Sequence, residues 1–234
     1  MSGFARAPVI CACLAALLAC GSSTGSRGAG GGGTQQDAEA SLRVAQAQAL
    51  LALMVLDAAS GLEAQRAANP PEREPDVVYI PTPEPVVDKM LEVAQIKEGD
   101  VVYDLGCGDG RIVIAAAKRY GVQAWGFDID PVRVAEARAN AKAAGVEDLV
   151  TIEQKDIFTL DLSPASVVTL YLLPELNVQL IPQLEKLKPG SRIVSHDFDM
   201  AGVEPLEHHV VRLPVSEKAH QVYLWKTPLV RTDP

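Results

Sequence analysis

From residue 77 onward, short apolar runs alternate with longer segments in which apolar residues recur every three or four positions. Short runs bounded by turn residues predict buried strands, and the three-to-four spacing predicts amphipathic helices. Strands that alternate with helices are typical of a parallel α/β sheet. The predicted strands are 100–104, 122–127, 149–153, 167–171 and 192–195. One helix is predicted to begin after residue 82, and three more are predicted over 112–120, 130–145 and 175–187.

Local signals support the predicted ends of these elements. Thr82 and Asp130 each precede a proline, an arrangement that suits the N-cap and first turn of a helix. The last two apolar runs, 209–213 and 221–225, leave no room for a helix between them, so these strands should pair antiparallel. Residues 77–234 are therefore predicted to form one α/β domain.

The first 76 residues have a different composition. Residues 1–20 combine a basic start, a short apolar centre and a Leu-Leu-Ala-Cys ending, which is the layout of a secretory signal. The ending resembles a bacterial lipoprotein lipobox, in which Cys20 is acylated and becomes the mature N-terminus. The following segments are a Gly/Ser-rich tether over 21–36, an Ala-, Leu- and Gln-rich helical extension over 37–68 and a Pro-rich linker over 69–76.

The lipobox resemblance predicts a bacterial membrane-anchored lipoprotein. Two alternatives stay open, namely an uncleaved leader on a cytoplasmic or membrane-associated protein, and translation that starts downstream of the leader. The cysteines fit lipidation, because Cys11 and Cys13 would leave with the leader and Cys107 alone would remain unmodified. The helical extension has an apolar run too short to span a bilayer, so it is expected to pack on the domain or on another copy.

The net charge of the chain limits its partners. The formal charge is −9 at pH 7, and no basic run occurs anywhere in the sequence. Nucleic-acid binding draws on clustered Lys and Arg side chains, so a nucleic-acid partner is not expected.

A glycine-rich loop directly follows the first predicted strand, over Asp104 to Gly110 in Asp-Leu-Gly-Cys-Gly-Asp-Gly. In an open α/β sheet, ligands bind at the carboxyl ends of the strands. Glycines at 106, 108 and 110 allow sharp turns and a close approach of the backbone to a ligand, while the next helix directs free amides towards it. The spacing differs from the Gly-x-Gly-x-x-Gly pattern of dinucleotide-binding proteins, which disfavours a nucleotide oxidoreductase.

Two further acids follow successive strands. Asp128 ends the second strand, where a carboxylate can accept from both hydroxyls of a ribose, and Asp156 follows the third, where it can accept from an adenine amino group. Acids at strand ends also occur as solvated residues or helix caps. Three acids in register, Asp104 included, favour a nucleoside-containing ligand over that alternative.

With these motifs, the chain resembles the seven-strand (class I) S-adenosylmethionine-dependent methyltransferases. The resemblance implies a Rossmann-like seven-stranded sheet, mostly parallel with a reversed last strand, and helices on both faces. It implies S-adenosylmethionine as the cofactor. The implied cofactor-binding residues are Tyr79, Thr82, Asp104, Leu105, Gly106, Cys107, Gly108, Gly110, Asp128, Ile129, Asp156 and Ile157.

A narrower resemblance covers residues 78 to about 200. Residues 79–83, 104–112, 169–177 and 195–200 resemble bacterial members of the small lysine methyltransferase family known from archaea and mitochondria. This resemblance implies a methyl acceptor that is a protein lysine, with Tyr79 and Thr82 closing over the methyl group. The implied catalytic residues, just after the fourth strand, are Tyr171, Pro174 and Asn177.

Simpler structural roles remain open for some of these residues. Tyr171 would also suit the core, and Thr82 would also suit a helix cap. His196 and Asp197 follow the fifth strand and are expected beside the pocket. No metal site is expected, because the remaining histidines lack metal-ligand spacing and suit the surface or the core: His208, His209 and His220.

Three functional hypotheses follow from the sequence. The first is a protein lysine methyltransferase, and the second is a methyltransferase of a small molecule or lipid. The third is a lipoprotein that binds cofactor or a partner without catalysis, which the predicted compartment favours because S-adenosylmethionine is a cytosolic metabolite. The complete set of three acids speaks against the third, since a fold that binds no cofactor has no physical need for it.

Overall fold

The computed structural model describes residues 35–68, 70, 73–214 and 218–232. The predicted leader with Cys20, and residues 21–34 of the predicted tether, lie outside this part of the chain. Helix α1 spans Gln35–Ala68 and begins two residues before the predicted extension. Among the described helices, none combines the length and the apolar content that a membrane span requires.

A seven-stranded sheet organises the rest of the chain. The strands stand in the order β3-β2-β1-β4-β5-β7-β6, and β7 pairs antiparallel with both of its neighbours while the other pairs are parallel. The mostly parallel sheet with a reversed last strand is therefore confirmed. The strands are β1 Val101–Leu105, β2 Gln123–Asp128, β3 Val150–Gln154, β4 Val167–Leu170, β5 Arg192–His196, β6 Glu207–Arg212 and β7 Ala219–Lys226.

One further helix precedes the sheet, and three helices and one turn of 3₁₀ helix connect its parallel strands. Asp130 caps α4 as predicted, because its carboxylate accepts from the Val132 amide at 2.9 Å. The predicted cap at Thr82 is wrong: no side chain caps α2, and the Thr82 hydroxyl instead contacts a buried histidine. The elements are α2 Glu84–Val93, α3 Arg111–Tyr120, α4 Pro131–Ala143, α5 Pro174–Leu184 and the 3₁₀ turn Ile157–Thr159.

Two apolar clusters cover the two faces of the sheet. Successive residues of one strand enter opposite clusters, as Val167 and Val168 do in β4, because side chains alternate across a strand. Helices α2, α3 and α4 supply one cluster and α5 supplies the other. A sheet buried on both faces needs strands that are apolar throughout, which explains the continuous apolar runs in the sequence.

A buried ion pair ties the amino-terminal edge of the sheet together. Arg192, at the start of β5, pairs with Asp100, which directly precedes β1, and donates to the Ala94 carbonyl at 3.0 Å. The Ser166 hydroxyl donates to the other Asp100 oxygen at 2.8 Å. The two charged side chains are only 14% and 5% exposed. This cluster lies at the edge opposite the carboxyl ends of the parallel strands.

Candidate active site

A cavity of about 590 Å³ lies at the carboxyl ends of β1 to β4. The loops that follow these four strands form its floor and sides, and residues 73–82, here called the strap, form another wall. Several predicted cofactor residues line this cavity: Tyr79, Thr82, Asp104, Gly106, Cys107, Asp128, Ile129, Asp156 and Ile157. Leu105, Gly108 and Gly110 are not among the lining residues.

The middle glycine of the loop has a different environment from the one expected. Gly108 adopts a φ of +55°, and a Cβ placed there would come within 2.3 Å of the Tyr79 ring. The absence of a side chain therefore makes room for a tyrosine of the strap. The Gly108 amide points the other way and donates to Asp128 Oδ2 at 2.9 Å.

Asp104 is the most deeply buried acid of the cavity. The Thr169 hydroxyl donates to its Oδ1 at 2.7 Å, while Oδ2 has no hydrogen-bond partner. Burial raises the pKa of this carboxyl to about 7, and the nearby charges of Asp128 and Asp109 add to the shift. A buried acceptor without a partner suits a ligand that brings a cationic donor.

Asp128 has acceptor capacity left for a ligand. Its two oxygens accept from the Gly108 and Asp130 amides, both at 2.9 Å. Because a carboxylate oxygen has two lone pairs, each can accept once more. Burial raises the pKa of Asp128, and the two amide hydrogen bonds oppose that change.

Asp156 carries an ion pair that the sequence did not indicate. Arg73 donates to both Asp156 oxygens, from Nε at 2.7 Å and from Nη2 at 3.2 Å. The Arg73 guanidinium also lies 5.3 Å from the centre of the Phe158 ring. The pairing with Arg73 lowers the pKa of Asp156. Arg73 belongs to the segment predicted as a linker, so its position in a cavity wall was missed.

Two more arginines contact the strap from the elements beside it. Arg111 donates to the Thr82 carbonyl at 2.8 Å and pairs with Asp109 at 2.6 Å. The Arg133 guanidinium lies 4.8 Å from the centre of the Tyr79 ring, within the range of a cation–π contact. Both side chains line the cavity, yet neither stands in a motif that sequence reasoning could single out.

The three predicted catalytic residues are not all brought together. Tyr171 lines the cavity beside Leu172 and Leu176. Pro174 begins α5 and is not a lining residue. Asn177 is also not a lining residue: it is fully buried, and its amide donates to the Phe198 and Asp199 carbonyls at 3.3 and 3.1 Å. Its contacts tie α5 to the loop after β5.

Behind the wall formed by Thr82 and Tyr171 lie two buried imidazoles. His196 is fully buried, and its ring centre is 3.9 Å from that of Tyr171. Its Nε2 lies 2.9 Å from Nδ1 of His220, a contact created by the pairing of β5 with β7. Asp197 lies close to both imidazoles. One nitrogen of each ring and one carboxylate oxygen of Asp197 lie within 4.8 Å of one another, and each of the three side chains has a hydrogen-bond partner within the protein.

The sheet order, the cavity at the strand ends and its row of carboxylates define a class I S-adenosylmethionine-dependent methyltransferase. The family model of the ANTKMT methyltransferase domain matches residues 104–207. A protein-lysine N-methyltransferase of Saccharolobus islandicus is 48% identical over 64% of this chain and 94% of its own length. The chain belongs to the family of that enzyme.

Further relatives agree with this class. An RNA methyltransferase from Salinibacter ruber, whose crystal structure contains S-adenosyl-L-homocysteine, is 53% identical. It matches with a TM-score of 0.58 over 64% of this chain and 94% of the other. The mouse adenine nucleotide translocase lysine N-methyltransferase is 32% identical over 56% of this chain and 57% of its own length. The protein is thus an enzyme that uses S-adenosylmethionine, so the hypothesis of a protein without catalysis is set aside.

Proposed function

We propose that this enzyme transfers the methyl group of S-adenosylmethionine to the side-chain amine of lysine in a protein. The observation that carries the proposal is the 48% identity to a protein-lysine N-methyltransferase along 94% of that enzyme. The more distant mouse relative is also named for a lysine acceptor. Two relatives from different domains of life thus share a lysine acceptor in their names.

The carboxylates of the cavity suggest how the cofactor lies. Asp156, Ile157 and Arg73 border the end that suits an adenine, and Asp128 suits the ribose hydroxyls. The free Oδ2 of Asp104 suits the ammonium of the methionine part. When bound, the cofactor supplies an activated methyl group, so this chain needs to align and desolvate the acceptor.

The apolar end of the cavity suits a lysine. Tyr171, Leu172, Leu176 and Thr82 border it. A lysine must lose its proton before it can accept a methyl group, and at pH 7 this costs about 4–5 kcal/mol from a pKa near 10.4. Apolar surroundings lower the pKa of an amine, which reduces that cost.

The principal alternative acceptors are a small molecule, a lipid and RNA. RNA enters because the Salinibacter ruber relative is named an RNA methyltransferase. A net charge of −9 disfavours RNA for this chain, because phosphate binding requires clustered cations. An apolar slot would also admit a lipid or small molecule, so these acceptors belong in the same assay.

The test incubates the full-length protein with methyl-labelled S-adenosylmethionine and, separately, poly-L-lysine, bacterial RNA and a lipid extract. We expect label on lysine amines of poly-L-lysine or of the enzyme itself, at a rate that rises with pH. Tyr171→Ala should reduce the rate at least tenfold and change cofactor affinity little, as expected for a residue that aligns the acceptor. Tyr120→Ala, at the exposed end of α3, is the matched control. Label on RNA or lipid alone would contradict the proposal.

We also propose that residues 1–20 direct lipidation at Cys20 and hence anchoring of the enzyme at a bacterial membrane. Support comes from the Leu-Leu-Ala-Cys ending and the Gly/Ser-rich segment after it, which suits a tether. In a bacterial host, labelled fatty acid should appear on the wild-type protein and on Cys13→Ser, but not on Cys20→Ser. A wild-type protein that keeps residues 1–19, detected by mass spectrometry, would refute this.

A further inference from the structure

A row of hydrogen-bonded side chains leads from the cavity wall into the sheet. The Thr82 hydroxyl, in the wall, lies 3.1 Å from Nδ1 of His196. His196 Nε2 lies 2.9 Å from Nδ1 of His220 on β7, and His220 is 7% exposed. The row thus connects the inside of the cavity with a mostly buried residue whose side chain keeps a small exposed part, and both of its imidazoles lie outside the cavity lining.

The row begins at the end of the cavity assigned to the acceptor. Thr82 and Tyr171 both line the cavity, and both contact His196, one through a hydrogen bond and one through its ring. The acids assigned to the ribose and the adenine follow other strands, β2 and β3. The Thr82 hydroxyl is therefore placed to accept a proton that an acceptor amine beside Tyr171 releases.

The charges around the imidazoles suit a neutral relay. The pKa of His196 is lowered to about 4, mainly by burial; the charge of Asp197 opposes this shift, while His220 and Lys218 add to it. His196 is therefore neutral at pH 7, with one nitrogen that donates and one that accepts. His220 Nδ1 lies 3.6 Å from Asp197 Oδ2, and Lys218 reaches the same carboxylate at 2.7 Å.

Asp197 is held in an unusual conformation beside this row. Its φ of +62° is uncommon outside glycine. Its amide donates to the Gln221 carbonyl at 2.7 Å, and its Oδ1 accepts from the Gln221 amide at 3.0 Å. Backbone strain of this kind persists where the surrounding contacts determine it, often at functional sites. Here it keeps a carboxylate next to His220.

We propose that Thr82, His196 and His220 form a proton path that takes the ammonium proton of the acceptor lysine out of the cavity. This inference rests on the proposed lysine acceptor. The lysine N–H bond breaks as a proton passes to the Thr82 oxygen, and the hydroxyl proton of Thr82 moves to Nδ1 of His196. The Nε2 proton of His196 moves to Nδ1 of His220, and the resulting imidazolium, beside the Asp197 carboxylate, gives a proton to water.

The electron balance of the path is simple. The lysine nitrogen keeps the electron pair of the broken N–H bond, and that pair would form the new bond to the methyl carbon while the methyl–sulfur bond of the cofactor breaks and leaves its electron pair on the sulfur of S-adenosylhomocysteine. Asp197 stays ionised throughout and stabilises the transient charge on His220. After the product leaves, the same proton transfers run in the reverse direction, from water at His220 to water in the cavity beside Thr82, and restore the starting tautomers.

The experiment compares full-length variants at saturating S-adenosylmethionine with poly-L-lysine as acceptor, from pH 6.5 to 10. Thr82→Val removes the hydroxyl at similar volume, Thr82→Ser restores it, and His220→Asn removes the imidazole. Calorimetry measures cofactor affinity separately for each variant. The matched control is His208→Asn, an exposed histidine on β6 that contacts Gln221.

At pH 7 we expect Thr82→Val and His220→Asn to be at least tenfold slower than the wild type, within the range for positioned proton transfer. The deficit should shrink towards pH 10, because a growing fraction of the lysine arrives neutral, and Thr82→Ser and His208→Asn should match the wild type. A rate deficit that is equal at every pH, or no deficit at all, would overturn the proton path. If one of the two variants folds poorly, the rates of the other variant still test the path. A wild-type enzyme that binds cofactor but never methylates lysine would instead refute the proposed function, and the path with it.

Discussion

At the scale of single residues, Asp104 is a deeply buried carboxyl group with only one of its two oxygens hydrogen-bonded. One oxygen accepts from Thr169, the other accepts from nothing in the described chain, and the side chain is 2% exposed. Burial raises its pKa to about 7, so the group is partly protonated under physiological conditions. A cofactor ammonium would stabilise the carboxylate form, because it supplies the missing charge-assisted hydrogen bond.

The first prediction is that the affinity for S-adenosylmethionine depends on the titration of Asp104. Below pH 7, binding must first remove a proton from the carboxyl, so the affinity should fall with falling pH. Calorimetry measures the affinity of the wild type and of Asp104→Asn at pH 7.5 and at pH 6. The ratio of the wild-type affinity to the Asp104→Asn affinity should be lower at pH 6 by a factor on the order of ten. The ratio cancels the titration of the cofactor itself. A constant ratio would contradict the assignment.

The same shift has a consequence for stability without cofactor. The pKa of Asp104 is raised on folding, so its contribution to stability is present below the unfolded pKa of about 3.9 and is lost as the pH rises through about 7. The melting temperature of wild type relative to Asp104→Asn should therefore fall between pH 5 and pH 8. Added cofactor should reverse that fall, and calorimetric melting curves measure both.

At the scale of elements, the glycine loop and the strap form one packed unit. The Tyr79 ring occupies the space beside Gly108, and Arg133 lies over the same ring. The sequence motif indicated a loop that a ligand approaches, and the structure shows a loop that a neighbouring segment also approaches. Both uses need a residue without a side chain, so the motif alone could not distinguish them.

The second prediction concerns this packing. Gly108→Ala should displace Tyr79, because the new Cβ would lie 2.3 Å from its ring, and should weaken cofactor binding at least tenfold without unfolding the sheet. Gly121→Ala is the control: its φ of +65° imposes comparable backbone strain, but nothing lies within 4 Å of the added Cβ. Calorimetry gives the affinities and circular dichroism checks the fold. Equal loss in both variants would attribute the effect to strain alone.

At the scale of the whole molecule, the two ends of the parallel strands have different roles. The carboxyl ends carry the cavity, while the amino ends carry the buried pair of Arg192 and Asp100, which joins β1, β5 and the end of α2. Chemistry and this stabilising contact therefore occupy opposite edges of one sheet.

The third prediction follows from this division. Arg192→Met leaves Asp100 charged and buried without its cation, which should lower the free energy of unfolding by about 3–5 kcal/mol. Arg231→Met removes an exposed pair with Glu185 and should cost less than about 1 kcal/mol. Urea titrations measure both. Cofactor affinity of the folded Arg192→Met protein should stay near wild type, and a large loss there would contradict the separation of the two edges.

Short-range patterns explain what was predictable. Each of Asp104, Asp128 and Asp156 stands at or just after an apolar strand, so periodicity alone located them at one edge of the sheet. The positions of Arg73, Arg111 and Arg133 in the cavity wall were not predictable, because they depend on contacts with distant residues, respectively Asp156, Thr82 and Tyr79. The roles of Pro174 and Asn177 stay predictions, although the structure places both outside the cavity lining.

The sequence by itself determined the alternation of strands and helices, the reversed last strand, the glycine loop and the row of acids. These features depend on periodicity, turn residues and loop length, which neighbouring residues specify. Only the tertiary structure decided that Arg73 meets Asp156, that Tyr79 lies against Gly108 and that His196 meets His220. Strand order and register bring together residues that are 24 to 83 positions apart, and no local pattern encodes such a distance.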